Sequence, residues 1–508
     1  MTMRPAHRRR VLILALTAAC AACALQETIP VKPPPAVGEP SGAIKEAAKG
    51  PAYAAPQLAL GGEGQVYLLW HAMEQGKSMD ALFARSVDLG ATWSEPPISI
   101  KPVNAAGAAG RQIATGRNGV VYALWREVDP KTKIPQFLFA RSQDHGGRWD
   151  EPPRVVSASD DVGIPTLLAD QGGGVYVASL VGPKSHRALE VVSSHDFGET
   201  FPSTPSRLTA AFPTSKHGIT NHRVASDGKG HLYAVWEENK GGLDNRIYLN
   251  RSLDQGKTWG PQPILVSTPE GAERLAYTPQ ILAGPTGQVY VAWEQSEFRP
   301  YNPAQPGAQR EVDRFIHVNR SLDDGQTWLP QPIRLNPSEA GQGPVQSLMA
   351  QLSADRHGHV YAVWIEAEGA DRERLLVARS TDSGMTWSAP RALSNPFKGR
   401  LSYPEIRSDD EGHVWVLWQE IRQNRKEWRL LMNRSEDHGA SWREQATALT
   451  RSAQRGGKFR SVSFVSDRHG RLYVAWDGGL WNTRELYVNR STDFGATWLS
   501  REVQVGRR

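Results

Sequence analysis

The 508-residue chain has only two cysteines, Cys20 and Cys23, both close to its start. Everything beyond them lacks thiol chemistry, a disulfide framework and any cysteine-based metal site, so its stability must come from packing. Long apolar runs are missing as well, since "VLILAL" (11–16) is far too short to span a bilayer as a helix. Acidic residues are absent from positions 1–19, which hold Arg4, Arg8, Arg9 and Arg10. Without those four arginines the balance is 55 basic against 53 acidic residues, or +2 in place of the +6 of the whole chain. That near-neutral figure argues against a nucleic-acid protein, which would carry a basic domain or stripe. Motifs for redox or nucleotide cofactors are also absent, and no cofactor is expected.

The N-terminus reads as an export signal: "MRPAHRRR" is basic, "VLILAL" is apolar, and "TAACAAC" supplies small residues for cleavage. A cysteine directly after "TAA" resembles the lipobox of bacterial lipoproteins. That resemblance implies a signal over 1–19 and a lipidated Cys20, with Cys23 as the alternative. Acyl chains would then hold the protein on the membrane without spanning it. Ala21, where Asp would signal retention, implies the outer membrane. Residues 20–51 include "IPVKPPPAVGEPSGAIKEAAKG", rich in Pro, Gly and Ala without strand or helix periodicity, and read as an extended tether. The folded body is expected over 52–508.

Within that body one short stretch recurs. "RSVDLGATW" (85–93), "RSLDQGKTW" (251–259), "RSLDDGQTW" (320–328) and "RSTDFGATW" (490–498) are among eight copies, centred on Asp88, Asp144, Asp196, Asp254, Asp323, Asp382, Asp437 and Asp493. Each copy follows a run such as "GQVYLLW" (64–70) or "GHVYAVW" (358–364), whose β-branched and aromatic content reads as a buried strand. A further apolar stretch lies upstream and another downstream, giving four strands, A to D, per unit. Fourteen of the 17 tryptophans fall at two fixed places: the end of strand B and the end of the repeated turn. The third unit has Ser179 and Phe201 there instead. Large aromatics at fixed positions of a repeat are expected to fill the space between neighbouring units. Eight sheets of four strands predict an all-β, eight-bladed β-propeller of antiparallel blades.

The pattern S-x-D-x-G-x-T-W resembles the Asp box, or bacterial neuraminidase repeat, of sialidases and of many non-enzymatic propellers. Its Asp and Ser/Thr side chains can bond nearby amides, and Gly supplies a backbone angle that other residues resist. The eight aspartates are therefore expected to be structural, one per blade. One carboxylate per turn is too few for calcium, and no metal is expected. "NRS" at Asn250, Asn319, Asn433 and Asn489 matches a glycosylation sequon but reads as strand C entering the turn.

In propellers resembling this one, the Asp boxes mark one face, and the D-to-A and B-to-C loops surround a pocket on the other. Chemistry is thus expected at strand A starts or just after the B-strand tryptophan. Acids after that tryptophan are Glu127, Glu237, Glu294, Glu366, Glu420 and Asp477, and pairing with arginines of neighbouring units is their structural alternative. Near strand A starts lie Arg111, Asp160, Asp161, His222, Arg223, Arg274, Tyr277, Arg400, Tyr403, Lys458 and Arg460. The longest interval holds the insertion 295–314, with Phe298, Arg299, Tyr301 and Arg310.

Sialidases resembling this repeat use three arginines on the substrate carboxylate, a tyrosine nucleophile activated by a glutamate, and an aspartate acid. That resemblance would assign Tyr277 or Tyr403 as nucleophile, Glu237 or Glu294 as its partner, and Asp160 or Asp161 as acid. Arg223, Arg274 and Arg460 would be clamps, with Arg299, Tyr301 and His222 contacting ligand. Two departures stand against it: "VGIPTLL" (162–168) has Gly163 where the F/Y-R-I-P motif needs Arg, and eight units exceed the six of that family. The expected function is therefore a membrane-tethered propeller binding a glycan, peptide or partner protein on the face opposite the Asp boxes. A sialidase-like or other carbohydrate-active enzyme is the alternative.

Overall fold

The computed structural model describes residues 52–506 apart from 74–78, 104–109, 159–162, 184–186, 210–217, 242, 268–273, 299–311, 337–344, 369–371, 395–396, 423–426, 451–460, 468 and 480–484. All of its extended structure is antiparallel β-sheet within repeated runs of four strands. Strand A of unit 5, Arg274–Ala283, pairs with B, Val289–Phe298; B pairs with C, Val312–Ser321; and C pairs with a two-residue D, Ile333–Arg334. Equivalent runs occupy 52–103, 112–158, 166–207, 219–265, 346–392, 397–448 and 462–505, numbered here units 1 to 8 in chain order. Units 1, 2, 3 and 8 are separate four-stranded sheets. Units 4 to 7 form one sixteen-stranded sheet, stitched between units by only one or two residue pairs, such as Asn245 with Leu275.

Such a sheet exposes two apolar faces, and both are covered by neighbours. The B-strand tryptophans Trp70, Trp125, Trp236, Trp293, Trp364, Trp418 and Trp476 are at most 1% exposed. Each lies in a hydrophobic cluster made jointly by its own unit and the preceding one, together with the tryptophan of its own Asp box. In unit 3 Phe201 takes the Asp-box place and meets Phe139 edge-on at 5.0 Å and 76°, the geometry with which Trp149 meets Phe83. Ser179, in the B-strand place, leaves that unit without its second large ring. The last and first units share a cluster containing Tyr53, Trp70, Tyr473 and Val505, and Leu58 N donates to Ser463 Oγ at 3.0 Å. Units 1 and 8 each pair their own four strands, so they meet by packing and not by strand exchange.

The repeated turn is fastened from within. In unit 5 Ser321 Oγ donates to Asp323 Oδ1 and accepts from Gly325 N, while Asp323 also accepts from Thr327 N and from Thr327 Oγ1 at 2.6 Å. The same bonds recur in the other boxes, except that Arg148 in unit 2 supplies only its amide. The residue after each aspartate adopts a left-handed backbone, as at Asp324 with φ 57°. In units 2 to 8 its amide reaches the A–B turn of its own unit, as Asp324 N does to Gly287 O at 2.9 Å. The A–B turns and Asp boxes therefore share one face, and strand A starts and B–C hairpins share the opposite one. Three of the four sequon asparagines, Asn250, Asn319 and Asn433, brace the box through a carbonyl ten residues on, and all four are at most 3% exposed, consistent with a packing role.

A second fastener runs between units. The arginine that opens each box donates to the carbonyl of the residue after the next unit's box aspartate: Arg85 to His145, Arg141 to Phe197, Arg251 to Asp324, Arg320 to Ser383, Arg379 to His438, Arg434 to Phe494, and Arg490 back to Leu89. Unit 3 has Ser193 in that place and makes no such bond. A charge-assisted hydrogen bond contributes about 1.5–3 kcal/mol, less than the roughly 3–5 kcal/mol lost when a buried tryptophan is truncated. Apolar burial therefore dominates each seam, and the arginine fixes its register. At the seam between units 5 and 6, Trp364→Ala should lower unfolding stability by more than Arg320→Ala, in that ratio, as measured by denaturant titration.

Hydrogen bonds from Thr92 hold Asp88 down at about 2, and those from Ser321 and Thr327 do the same for Asp323. A depressed carboxylate stabilises the fold above its unfolded pKa near 3.9, and the gain is lost as pH falls through the folded value. Stability should accordingly drop between about pH 4 and pH 2. Asp323→Asn should flatten that step in an acid-unfolding series.

Candidate functional site

The face opposite the Asp boxes is shaped by a bulge in strand A. In units 1, 4, 5, 6 and 7 the A–B register slips by a residue, and Ala55, Asn221, Thr278, Met349 and Tyr403 take left-handed φ values of 48° to 59°. A bulge leaves an amide unpaired, and in two seams an acid following the B-strand tryptophan of the preceding unit takes it up. Glu237 accepts from Thr278 N at 3.1 Å, and Glu294 accepts from Met349 N at 2.9 Å. Glu237 is further held by Thr220 Oγ1 and by Asn221 Nδ2, at 3.1 and 2.8 Å. These acids thus brace the backbone of the next unit. Two of the acids also face arginines of their own units: Glu294 lies 3.7 Å from Arg314 and Glu366 lies 2.6 Å from Arg374.

Between units 4 and 6 the braces converge on Tyr277. Tyr277 stands opposite Glu294 in the strand register, and Arg314 lies over its ring, 6.0 Å from the centroid. Burial raises the Tyr277 hydroxyl above its ordinary value, and the charge of Glu237 adds to this. Burial also pushes Glu294, which is 2% exposed, up from the usual carboxylate range, against the amide of Met349 and the charge of Arg314. Among the described residues no hydrogen bond joins Tyr277 to either glutamate. A half-buried tyrosine, a guanidinium and an acid of raised pKa within one patch can grip a polar, anionic ligand or donate a proton to it.

The other candidates are dispersed. His222 is buried in its seam, and burial first, then the neighbouring Arg223 charge, lowers it to about 4, so it is neutral at pH 7 and offers no charge to a ligand. Arg223 turns one guanidinium nitrogen onto the His222 carbonyl at 2.9 Å. Tyr403 sits on the bulge of unit 7 with φ 51°, two seams beyond Tyr277. Arg274 pairs through its backbone with Glu297, and its side chain is outside the described set. Asp161, Arg299, Tyr301, Arg460 and Cys20 all lie outside the described residues. Arg400 ion-pairs with Glu373 at 2.8 Å, and Arg111 is buried against His71 at 2.9 Å. Of the three expected clamps, Arg223 alone has a described side chain. Sequence reasoning passed over Arg314, whose signal is its position opposite Ser296, two residues along from Glu294 on the paired strand. A cavity of about 190 Å³, lined by Tyr361, Arg379, Ser388 and Trp442, lies on the Asp-box side and has no acid in its lining.

Four-stranded antiparallel units, packed face to face with one turn motif per unit, define a β-propeller-type fold. Residues 125–416 match the BNR repeat-like domain, more than half of the chain, and the chain belongs to that sialidase-like repeat family. It is 24% identical over 194 residues to a sialidase of Micromonospora viridifaciens, a match covering 35% of this chain and 30% of that protein. The chain thus spans under a third of that relative's length. Among solved structures, an ulvan lyase of polysaccharide lyase family PL25 superposes with a TM-score of 0.50 at 15% identity, over 73% of this chain and 90% of that one. A Hadza microbial sialidase gives a TM-score of 0.39 at 17% identity, over 65% and 69% of the two chains.

Glu294→Gln keeps the acceptor for Met349 N and removes a carboxylate that burial disfavours when charged. A raised acid costs stability as pH climbs above its unfolded pKa near 4.3. The variant should therefore be at least as stable as the parent at pH 7 and no more stable at pH 4, in paired thermal melts.

Proposed function

We propose that the chain is an eight-bladed β-propeller that binds an acidic glycan on the face opposite its Asp boxes, around Tyr277 and Arg314. The observation that carries this reading is the use of Glu237 and Glu294 as amide braces beside an unpaired Tyr277. A sialidase-type nucleophile needs its tyrosine hydrogen-bonded to such an acid, and here the acids are committed elsewhere. What remains on that face is an aromatic surface and a guanidinium, the pairing that suits a sugar ring bearing a carboxylate or sulfate. The relatives named a sialidase and an ulvan lyase support a glycan over a peptide. A catalytic reading is kept alive by one feature: burial raises the pKa of Glu294, the direction a general acid requires.

A glycan array probed with the protein, together with hydrolase and lyase screens on sialosides and uronate-containing or sulfated polysaccharides, separates the two. The expected result is binding to acidic glycans, weakened roughly tenfold by Arg314→Ala, with no turnover. Turnover abolished by Tyr277→Phe, Tyr403→Phe or Glu294→Gln would establish the enzyme instead. The proposal also places the propeller outside the cytoplasm on a lipid anchor at Cys20. Cys20→Ala should move the protein from the membrane to the soluble fraction, and Cys23→Ala should not.

A further inference from the structure

On the Asp-box face each seam repeats one arrangement, in which the A–B turn of one unit faces the residue after the box aspartate of the next. The repeat therefore supplies its own comparisons. Between units 7 and 8, Asp409 Oδ2 lies 2.7 Å from His413 Nδ1, and the third place is taken by Phe494, whose ring stacks on His413 at 4.3 Å. Between units 8 and 1 the places hold Asp467, Arg471 and Leu89, with a 2.7 Å ion pair. Neither seam brings in an imidazole from the following unit, and the third donor beside Asp409 and His413 is the exposed carboxylate of Glu411, from the same turn. Between units 6 and 7 the third place is His438.

There the Asp355 side chain is fully buried, and its Oδ1 is occupied by the amides of His357 and His359 at 2.9 and 3.0 Å. Its Oδ2 lies 2.6 Å from His359 Nδ1 and 3.6 Å from His438 Nδ1. The two imidazole rings are 4.3 Å apart, and the buried His438 Nδ1 makes no hydrogen bond. The three donor atoms lie within 4.8 Å of one another.

We propose that Asp355, His359 and His438 form a divalent transition-metal site, with Zn²⁺ as the expected ion, that staples unit 6 to unit 7. Two imidazoles and one carboxylate match the ligand set of zinc, whose bonds of roughly 2.0–2.2 Å place neighbouring donors about 3–3.5 Å apart. The Asp355–His438 separation already fits. The Asp355–His359 contact opens by less than about 1 Å as the ion replaces the shared proton. Calcium does not suit a site with two nitrogens and one free carboxylate oxygen. The seam between units 4 and 5 offers the poorer set Asp227, His231 and Asp324, in which a single imidazole nitrogen is shared by two carboxylates at 3.1 and 3.2 Å. The sequence reading considered only cysteines and box aspartates as ligands and so did not reach this cluster.

The test uses the full chain, stripped with a chelator and titrated with Zn²⁺ by calorimetry, with thermal unfolding recorded at each addition. His438→Phe copies the residue found at the next seam. It should weaken binding roughly tenfold or more and remove the rise in Tm, whereas Asp324→Ser, which copies Ser383, should change neither. If His438→Phe does not fold, His359→Gln takes its place with the same expectation. Absence of Zn²⁺ binding by the parent chain, equal binding by the histidine variant, or loss in Asp324→Ser alone would overturn the assignment.

Discussion

The structure depends on a four-stranded sheet having two apolar faces and only neighbours of its own kind to cover them. A lone unit would leave its B-strand tryptophan in water, so no unit is stable except between two others. Seven tryptophans at most 1% exposed, each walled in by the preceding unit, are that constraint made visible. Closure follows from it, because the first and last units would otherwise each expose one face. The edge strands are correspondingly short: in units 3 to 7 strand D is two residues long, which leaves little outer edge for another chain to extend.

Polar groups in this fold mostly serve the backbone. The box aspartates tie their own turns, the box arginines tie the next unit's turn, and Glu237 and Glu294 tie the next unit's bulge. All three use charge to satisfy an amide or carbonyl that irregular backbone leaves open, where the cost of an unmet bond is greatest. Function is confined to what such duties leave over. Tyr277 and Arg314 are left over in this sense on one face, and the third donor at the seam of units 6 and 7 is left over on the other.

The repeat was the most legible feature, because residues that perform the same packing task eight times must be spelled alike. The strands, the two tryptophan positions and the degenerate third unit all lie where "GQVYLLW" and "RSVDLGATW" put them. The site was less legible for the opposite reason. Glu237 looks like a catalytic acid in sequence, and only the left-handed turn at Thr278 reveals the amide it serves; a bulge has no fixed spelling, being formed by "YTPQ" in one unit and "LMAQ" in another. Arg314 and the Asp355–His438 pairing depend on cross-strand and cross-unit neighbours, which spacing along one chain does not encode. The box arginine opens seven of the eight copies, Ser193 replacing it in the third, yet its partner lies in the following repeat.

Because Arg490 reaches Leu89 as every other box arginine reaches its successor, the junction between the chain's ends is equivalent to an internal one. The linear order of the units is then incidental to the circle they make. A circular permutant, with 52 and 506 joined and the chain reopened between units 3 and 4, would retain all seven arginine ties. Its new ends would lie at the one junction that never had such a tie, making that junction the natural place to insert a foreign domain.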